Sequence, residues 1–202
     1  MMSHYFTNDE NQKSNEQEFQ TGILGQKFKF ITDIGVFSKG ELDDASRFLI
    51  ETVAPVLPKG DVLDVGCGYG AIGISLASLN PELTVHMVDI NLRATNLALR
   101  NAENNGISNI QIYESDLYQQ VEKKDFTTIV SNPPIRAGKK VVHDILAGAF
   151  DYLIEGGTLT IVIGKQHGAA SAEKKMEEVF GNVERLDRKK GFWILQSTKI
   201  TT

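Results

Sequence analysis

The sequence predicts one α/β domain organised around a mostly parallel sheet, and three observations predict it. From Asp61 onward, short apolar runs alternate with segments of helical period. The junctions carry breaker pairs such as Asn80-Pro81 and Asn105-Gly106. A glycine-rich turn, Asp64-Val65-Gly66-Cys67-Gly68-Tyr69-Gly70, joins the first run of that series to the segment after it. Length agrees, because 202 residues with 41% hydrophobic content suit a single domain with a sizeable core.

Each element follows from its pattern. Residues 19–23 and 27–32 are expected as strands joined at Leu24-Gly25-Gln26. This hairpin belongs to an N-terminal extension, residues 1–40, packed on a main domain spanning 41–202. Within the extension, residues 8–18 are rich in Asn, Gln and Glu and are expected to pack loosely. A helix follows, with Asp43 or Asp44 near its start, an apolar face of Ala45, Phe48, Leu49 and Val53, and a stop near Pro55 and Pro58. Residues 61–65, 83–88 and 110–113 read as strands, separated by helices over 71–79 and 92–104. The second half continues with a strand over 126–130, a helix over 141–152, a strand over 158–163 and a helix over 173–180. Runs 183–186 and 192–196, split by Arg188-Lys189-Lys190-Gly191, read as an antiparallel pair.

Composition excludes several classes. With 21 basic and 26 acidic residues, a net charge of −5 argues against holding nucleic acid through the overall field, so any RNA contact must be local. One cysteine, Cys67, rules out an internal disulfide. No apolar run is long enough for a membrane helix and no signal-peptide pattern opens the chain, so the expectation is a cytoplasmic protein that binds no membrane. His4, His86, His143 and His167 are scattered, and no metal site is expected. His86 reads as packed within its strand and Trp193 as core, while His167, in the glycine-flanked loop Lys165-Gln166-His167-Gly168, reads as a plain loop histidine, with lining of the pocket as the alternative.

A glycine turn between strand and helix also suits a dinucleotide, because Gly66, Gly68 and Ala71 satisfy that template with Asp89 at the spacing of a ribose ligand. Charge separates the candidates. A pyrophosphate at a helix N-terminus wants donors and no carboxylate nearby, whereas S-adenosylmethionine has no phosphate and carries a sulfonium and an ammonium. Asp64, Asp89 and Asp116 all fall near the carboxyl ends of successive strands, where open α/β sheets bind ligands. Three acids around one crevice suit the cationic ligand. Gly66 and Gly68 then let it approach the backbone, with small Cys67 between them. Asp64 is expected at its amino-acid end, Asp89 with neighbouring Ile90 at the ribose, and Asp116 with the backbone of Leu117 at the adenine.

Asn132-Pro133-Pro134-Ile135, directly after the run at 126–130, points to transfer onto nitrogen. The lone pair of an exocyclic amino group or an amide is delocalised into the adjoining π system. The Asn132 side-chain oxygen and the Pro133 carbonyl each accept one N–H bond and aim that lone pair at an incoming methyl group. The two prolines stiffen the loop. Asn132, Pro133 and Pro134 are therefore the candidate catalytic residues, and Asn132 also borders the cofactor.

These segments carry a resemblance. Gly35-Val36-Phe37-Ser38 with His4-Tyr5-Phe6 and Leu42-Asp43, the loop over 62–73, and Ser131-Asn132-Pro133-Pro134-Ile135-Arg136-Ala137-Gly138 resemble class I S-adenosylmethionine-dependent methyltransferases, specifically the small-subunit ribosomal RNA guanine-N2 methyltransferases. The resemblance implies a Rossmann-like, seven-stranded sheet with a reversed last strand. It also implies S-adenosylmethionine as cofactor, and guanine N2 of small-subunit ribosomal RNA as acceptor. Many relatives have an aromatic residue after the prolines that stacks on the target base, where this chain has Ile135. Phe37 or aliphatic contact from Ile135 is expected to take over that role. Longer relatives carry a second, degenerate domain that helps bind substrate; none is expected here, so RNA recognition is expected to rest on a partner subunit or on the folded ribosomal particle. Arg136, Lys139 and Lys140 beside the loop are candidate RNA contacts, with Lys165 and the Arg188-Lys189-Lys190 turn as a second group. Monomer and homodimer are both compatible with the sequence. Two alternatives stand: transfer to a protein glutamine amide or small amine, and a module that binds S-adenosylmethionine or a nucleotide without turnover.

Overall fold

The computed structural model of the chain describes residues 14–33, 35–36 and 40–201. Two strands, β1 (Gln17–Ile23) and β2 (Gln26–Thr32), form a separate antiparallel hairpin. Seven more build the main sheet: β3 (Asp61–Val65), β4 (Thr84–Asp89), β5 (Ile110–Glu114), β6 (Phe126–Ser131), β7 (Leu153–Gly164), β8 (Glu184–Lys189) and β9 (Phe192–Thr198). Their order is β5-β4-β3-β6-β7-β9-β8. β3 to β7 pair in parallel, while β9 lies antiparallel to both β7 and β8. The last strand of the chain is thus inserted in reverse, as the sequence resemblance implied.

Helices cover both faces. α1 (Asp44–Val53), α2 (Ala71–Leu79) and α3 (Leu92–Asn104) pack on one side, and α4 (Lys139–Tyr152) and α5 (Ala169–Phe180) on the other. Strand alternation supplies both cores: Val62, Val130 and Val162 enter the first, and Leu63, Ile129 and Ile161 the second. No helix crosses from β5 to β6. In its place Tyr118 fills the second core, stacked on Tyr152 at 4.8 Å and donating its hydroxyl to the Ile145 carbonyl at 2.7 Å.

Three elements differ from the sequence pattern. α5 begins at Ala169 rather than 173, because Gly168 in the left-handed region (φ 101°) ends a preceding 3-10 turn and the small residues after it continue as helix. β7 begins at Leu153, which pairs with Phe126, so helix α4 gives way to strand with no loop between. The last turn shrinks to Lys190 and Gly191, both at positive φ in the manner of a type I′ hairpin, which makes Arg188 and Lys189 strand residues.

The hairpin docks on α3 by an unusual route. Asn101 and Asn105, one helical turn apart, each pair with the backbone of β2 as a neighbouring strand would. Asn101 exchanges bonds with Ile31 N–H and C=O at 2.7 and 2.9 Å, and Asn105 with those of Lys29 at 3.0 and 2.8 Å. Helical residues four apart and strand residues two apart are close enough in spacing to share this ladder. Asn101 also donates to the Tyr69 carbonyl at 2.9 Å, so the hairpin is tied directly to the glycine turn.

Candidate functional site

The glycine turn leaves β3 and crosses the end of β4, where Gly66 and Cys67 N–H both donate to the Val88 carbonyl at 2.9 Å. Gly66 and Gly68 stand at φ of 76° and 57°, and a β-carbon built on either meets no atom within 4 Å. Their backbone therefore fronts open space, and the left-handed conformation favours glycine at both positions. Cys67 is buried between them, and burial pushes its thiol well above the ordinary range.

Asp64 lies fully buried in β3. Its Oδ2 accepts from Gly73 N–H of α2 at 3.0 Å, while Oδ1 has no hydrogen-bond partner among the described residues. Burial pushes its carboxyl up to about 7, helped by the charge of Asp89 and opposed by the Gly73 amide. Gly73 allows this contact, since a β-carbon there would lie 2.2 Å from the Met87 sulfur. Asp89, at the end of β4, accepts from Gly68 N–H and Asn91 N–H, both at 2.9 Å. Burial raises its carboxyl too, and the amides of Asn91, Gly68 and Ile90 pull the other way. Asn91 in turn caps α3 by accepting from Arg93 N–H and Ala94 N–H. Ile90 is an exposed apolar side chain beside them, 37% accessible.

Asp116 sits in the turn after β5. Its carboxylate accepts from Gln119 Nε2 at 2.8 Å and stays exposed. Leu117 adopts a positive φ of 52°, held by a 2.8 Å bond from the Ser115 hydroxyl to its carbonyl. The turn is anchored to the site because Ser115 N–H donates to the Asp89 carbonyl at 3.0 Å.

β6 neighbours β3 at the point where strand order reverses, and Ser131 Oγ closes the two strand ends by donating to the Val65 carbonyl at 2.7 Å. Asn132 follows, half-buried. Its Nδ2 donates to Ser46 Oγ at 3.1 Å and lies 3.4 Å from Asp43 Oδ1, both in the first turn of α1. None of the described residues donates to its Oδ1. The two prolyl carbonyls differ. That of Pro134 is taken by Ala137 N–H at 2.9 Å inside a 3-10 turn, whereas none of the described residues donates to that of Pro133.

Beyond the prolines, Ile135 borders a cavity of about 170 Å³ between the N-terminal ends of α4 and α5. Ile135, Val142, Ile163 and Ala172 give it apolar walls, and Lys139, His143, His167 and Ser171 give it polar ones, with no carboxylate among its lining. His143 Nε2 and Ser171 Oγ are 3.0 Å apart. Burial, then the charges of Lys139 and Lys175, hold the His143 imidazole below its usual range. His167, which the sequence left between a plain loop histidine and a pocket-lining one, is part of this wall. Sequence reasoning missed His143 and Ser171 here, as it missed Asp43 and Ser46 behind Asn132. An N-cap signal at Asp43 was visible, but nothing local linked it to a loop 89 residues away.

The basic candidates divide. Arg136 and Lys139 are exposed and meet no carboxylate among the described residues. Lys140 pairs with Asp144 at 2.6 Å within α4. In the second group, Lys189 and Lys190 pair with Glu51 and Asp44 of α1 at 3.7 and 3.1 Å, so much of that charge is already matched. Trp193 is half-buried under the Arg185 guanidinium, 4.1 Å from its ring. Phe37, the sequence candidate for stacking on a base, lies outside the described residues, as do His4, Tyr5, Phe6 and Ser38.

A family model described as the methyltransferase small domain matches residues 27–196. The chain belongs to that family. S-adenosylmethionine is the family's methyl donor, and the residues present fit it: the orphaned Asp64 oxygen is an acceptor suited to a cation, and the backbone of Gly66 and Gly68 fronts open space. This methyltransferase is 46% identical over 201 residues to an uncharacterized protein, YbxB, of Bacillus subtilis (strain 168), covering 99% of this chain and 100% of that one. It is 33% identical over 184 residues to ribosomal RNA small subunit methyltransferase C of Vibrio parahaemolyticus, covering 89% of this chain and 52% of the relative. Among solved structures it is similar to the T. thermophilus 16S rRNA N2 G1207 methyltransferase in complex with AdoMet and guanosine. There the TM-score is 0.82 and identity 29%, with 93% of this chain and 51% of that chain covered. The chain thus spans about half the length of the relatives named for ribosomal RNA. Among the described residues, no helix is long and apolar enough to cross a membrane.

Proposed function

We propose that this methyltransferase transfers the methyl group to an exocyclic amino nitrogen, guanine N2 of small-subunit ribosomal RNA. The observation that carries the nitrogen half is the pair of open acceptors, Asn132 Oδ1 and the Pro133 carbonyl, to which none of the described residues donates, beside an Asn132 Nδ2 and a Pro134 carbonyl that are already bonded. Two adjacent acceptors match the two N–H groups of an amino substituent. Supporting the RNA half are the relatives named for small-subunit ribosomal RNA and the guanosine-bound structure.

In this reading, Asp64 meets the amino-acid end of the cofactor and Asp89, flanked by Ile90, its ribose. Gly66, Cys67 and Gly68 give it backbone to lie against, and Asp116 with Leu117 flanks the adenine. Bound S-adenosylmethionine supplies an electrophilic methyl on a sulfonium, so no strong general base is required of the protein. Asn132 and Pro133 align the acceptor, Pro134 stiffens their loop, and the acids stabilise positive charge. Ile135 and the apolar walls behind it give a base aliphatic contact in place of ring stacking, with Phe37 as a further contact. Arg136 and Lys139 meet phosphate, and Lys140 does so at the cost of its pairing with Asp144. Recognition of the remaining RNA falls to a folded ribosomal particle or a partner, since the net charge is −5.

The test is methylation of naked ribosomal RNA and of isolated small subunits with labelled S-adenosylmethionine, followed by nucleoside analysis. N2-methylguanosine is the expected product, and label found only in protein would replace the acceptor by a glutamine amide. Asn132→Ala should bind S-adenosylmethionine normally and lose roughly a hundredfold or more in turnover, as loss of a preorganised polar contact does elsewhere. Near-normal turnover would refute the role of the loop.

A further inference from the structure

We propose that Asp43 and Ser46, in the first turn of α1, are positioning residues that decide which end of the Asn132 amide faces the substrate. The inference rests on the nitrogen-methylation reading above and assigns new residues to it.

A side-chain amide has two ends of nearly equal size, one accepting and one donating, and a half-turn about its last torsion exchanges them. The exchange matters here. With Oδ1 forward, Asn132 accepts an N–H of the target amino group; with Nδ2 forward, donor faces donor and the acceptor is repelled. Two oxygens converge on Nδ2: Ser46 Oγ at 3.1 Å and Asp43 Oδ1 at 3.4 Å. A hydroxyl tolerates either orientation, because it both donates and accepts. A carboxylate only accepts, so the reversed amide would set oxygen against oxygen. Asp43 is therefore the member of the pair that discriminates.

Its own position is fixed by helix geometry. Asp43 is the N-cap of α1, and the same Oδ1 accepts Ser46 N–H at 2.9 Å. The cap and the clamp share one atom. Ser46 is buried, and α1 is held down through Phe48, Leu49 and Ile50, all 5% exposed or less. The start of a buried helix thus serves as the fixed stop against which the catalytic amide is set.

The shared atom makes the test sharp. Asp43→Asn keeps the cap with its oxygen, which leaves an acceptor facing Asn132. Asp43→Ser also caps, but its shorter hydroxyl withdraws from Asn132 and no longer discriminates. We expect Asp43→Ser to lower kcat by about tenfold or more, with the S-adenosylmethionine Kd within about twofold and Tm within a few degrees of the parent. Asp43→Asn should restore most of kcat. Combined with Asn132→Ala, Asp43→Ser should slow the residual single-turnover rate no further, because the group it positions is gone. The substrate is the small subunit from a strain lacking the gene, with labelled S-adenosylmethionine.

The inference is overturned if Asp43→Ser keeps kcat within about twofold. It is equally overturned if Asp43→Asn is as slow as Asp43→Ser, or if the loss persists undiminished in the Asn132→Ala background. A slow Asn132→Ala enzyme beside a fast Asp43→Ser enzyme defeats the positioning role alone. A fast Asn132→Ala enzyme defeats the nitrogen-methylation reading itself.

Discussion

Binding of S-adenosylmethionine to this protein should release a proton, and Asp64 should be its source. The Asp64 carboxyl is fully buried and pushed up to about 7 from an ordinary 3.8. At pH 6.5 the proton occupancy is about three in four, since ten to the half power is about 3; at pH 8.5 it is below about one in twenty. A cationic ligand beside Oδ1 favours the anion, so binding at pH 6.5 should expel about 0.7 proton and at pH 8.5 almost none. The sign runs oppositely for folding and for binding. A carboxyl raised in the folded state stabilises the ligand-free fold below its unfolded value, and that stability is lost as pH rises through about 7. Cofactor affinity instead weakens as pH falls below about 7, approaching tenfold per unit. The span of about three units corresponds to roughly 4 kcal/mol of folding stability from this group. Calorimetry at pH 6.5 in phosphate and in imidazole reads the proton count from the difference in apparent enthalpy. Equal enthalpies in the two buffers, or the same proton count from Asp64→Asn, would refute the reasoning.

Other perturbations probe neighbouring parts of the structure. Gly73→Ala forces a methyl to 2.2 Å from the Met87 sulfur and should cost about 1–3 kcal/mol, seen as a fall of several degrees in Tm together with weaker cofactor binding. Asn101→Ala strips partners from both backbone groups of Ile31 and from the Tyr69 carbonyl. It should cost upward of about 3 kcal/mol in denaturant unfolding and raise amide exchange in β2. Arg136→Glu with Lys139→Glu should weaken methylation of RNA and leave the S-adenosylmethionine Kd unchanged; unaltered turnover on RNA would remove these two residues from the contact surface.

The glycine turn, the alternation of strand and helix and the Asn-Pro-Pro loop were all legible in the chain, because each is written in neighbouring residues. The helix from Leu92 to Asn104 shows both the reach and the limit of such reading. Its period and its Asn105-Gly106 stop predicted it to the residue, yet nothing in that period shows that Asn101 and Asn105 pair with β2 like a strand. The same holds for histidine: the sequence leaves His167 between loop filler and pocket lining until α4 and α5 bring His143, Ser171 and Ile135 around one cavity.

What the sequence determined by itself was the set of local choices, meaning periodicity, caps, breakers and the order of acids at strand ends, since propensity and turn chemistry act over a few residues. Only the tertiary structure decided that the cap of α1 abuts the amide of Asn132 and that one oxygen of Asp64 is left without a partner. Those facts depend on burial and on contacts between segments many tens of residues apart. They exist only once the sheet has ordered its strands and closed the helices over both faces.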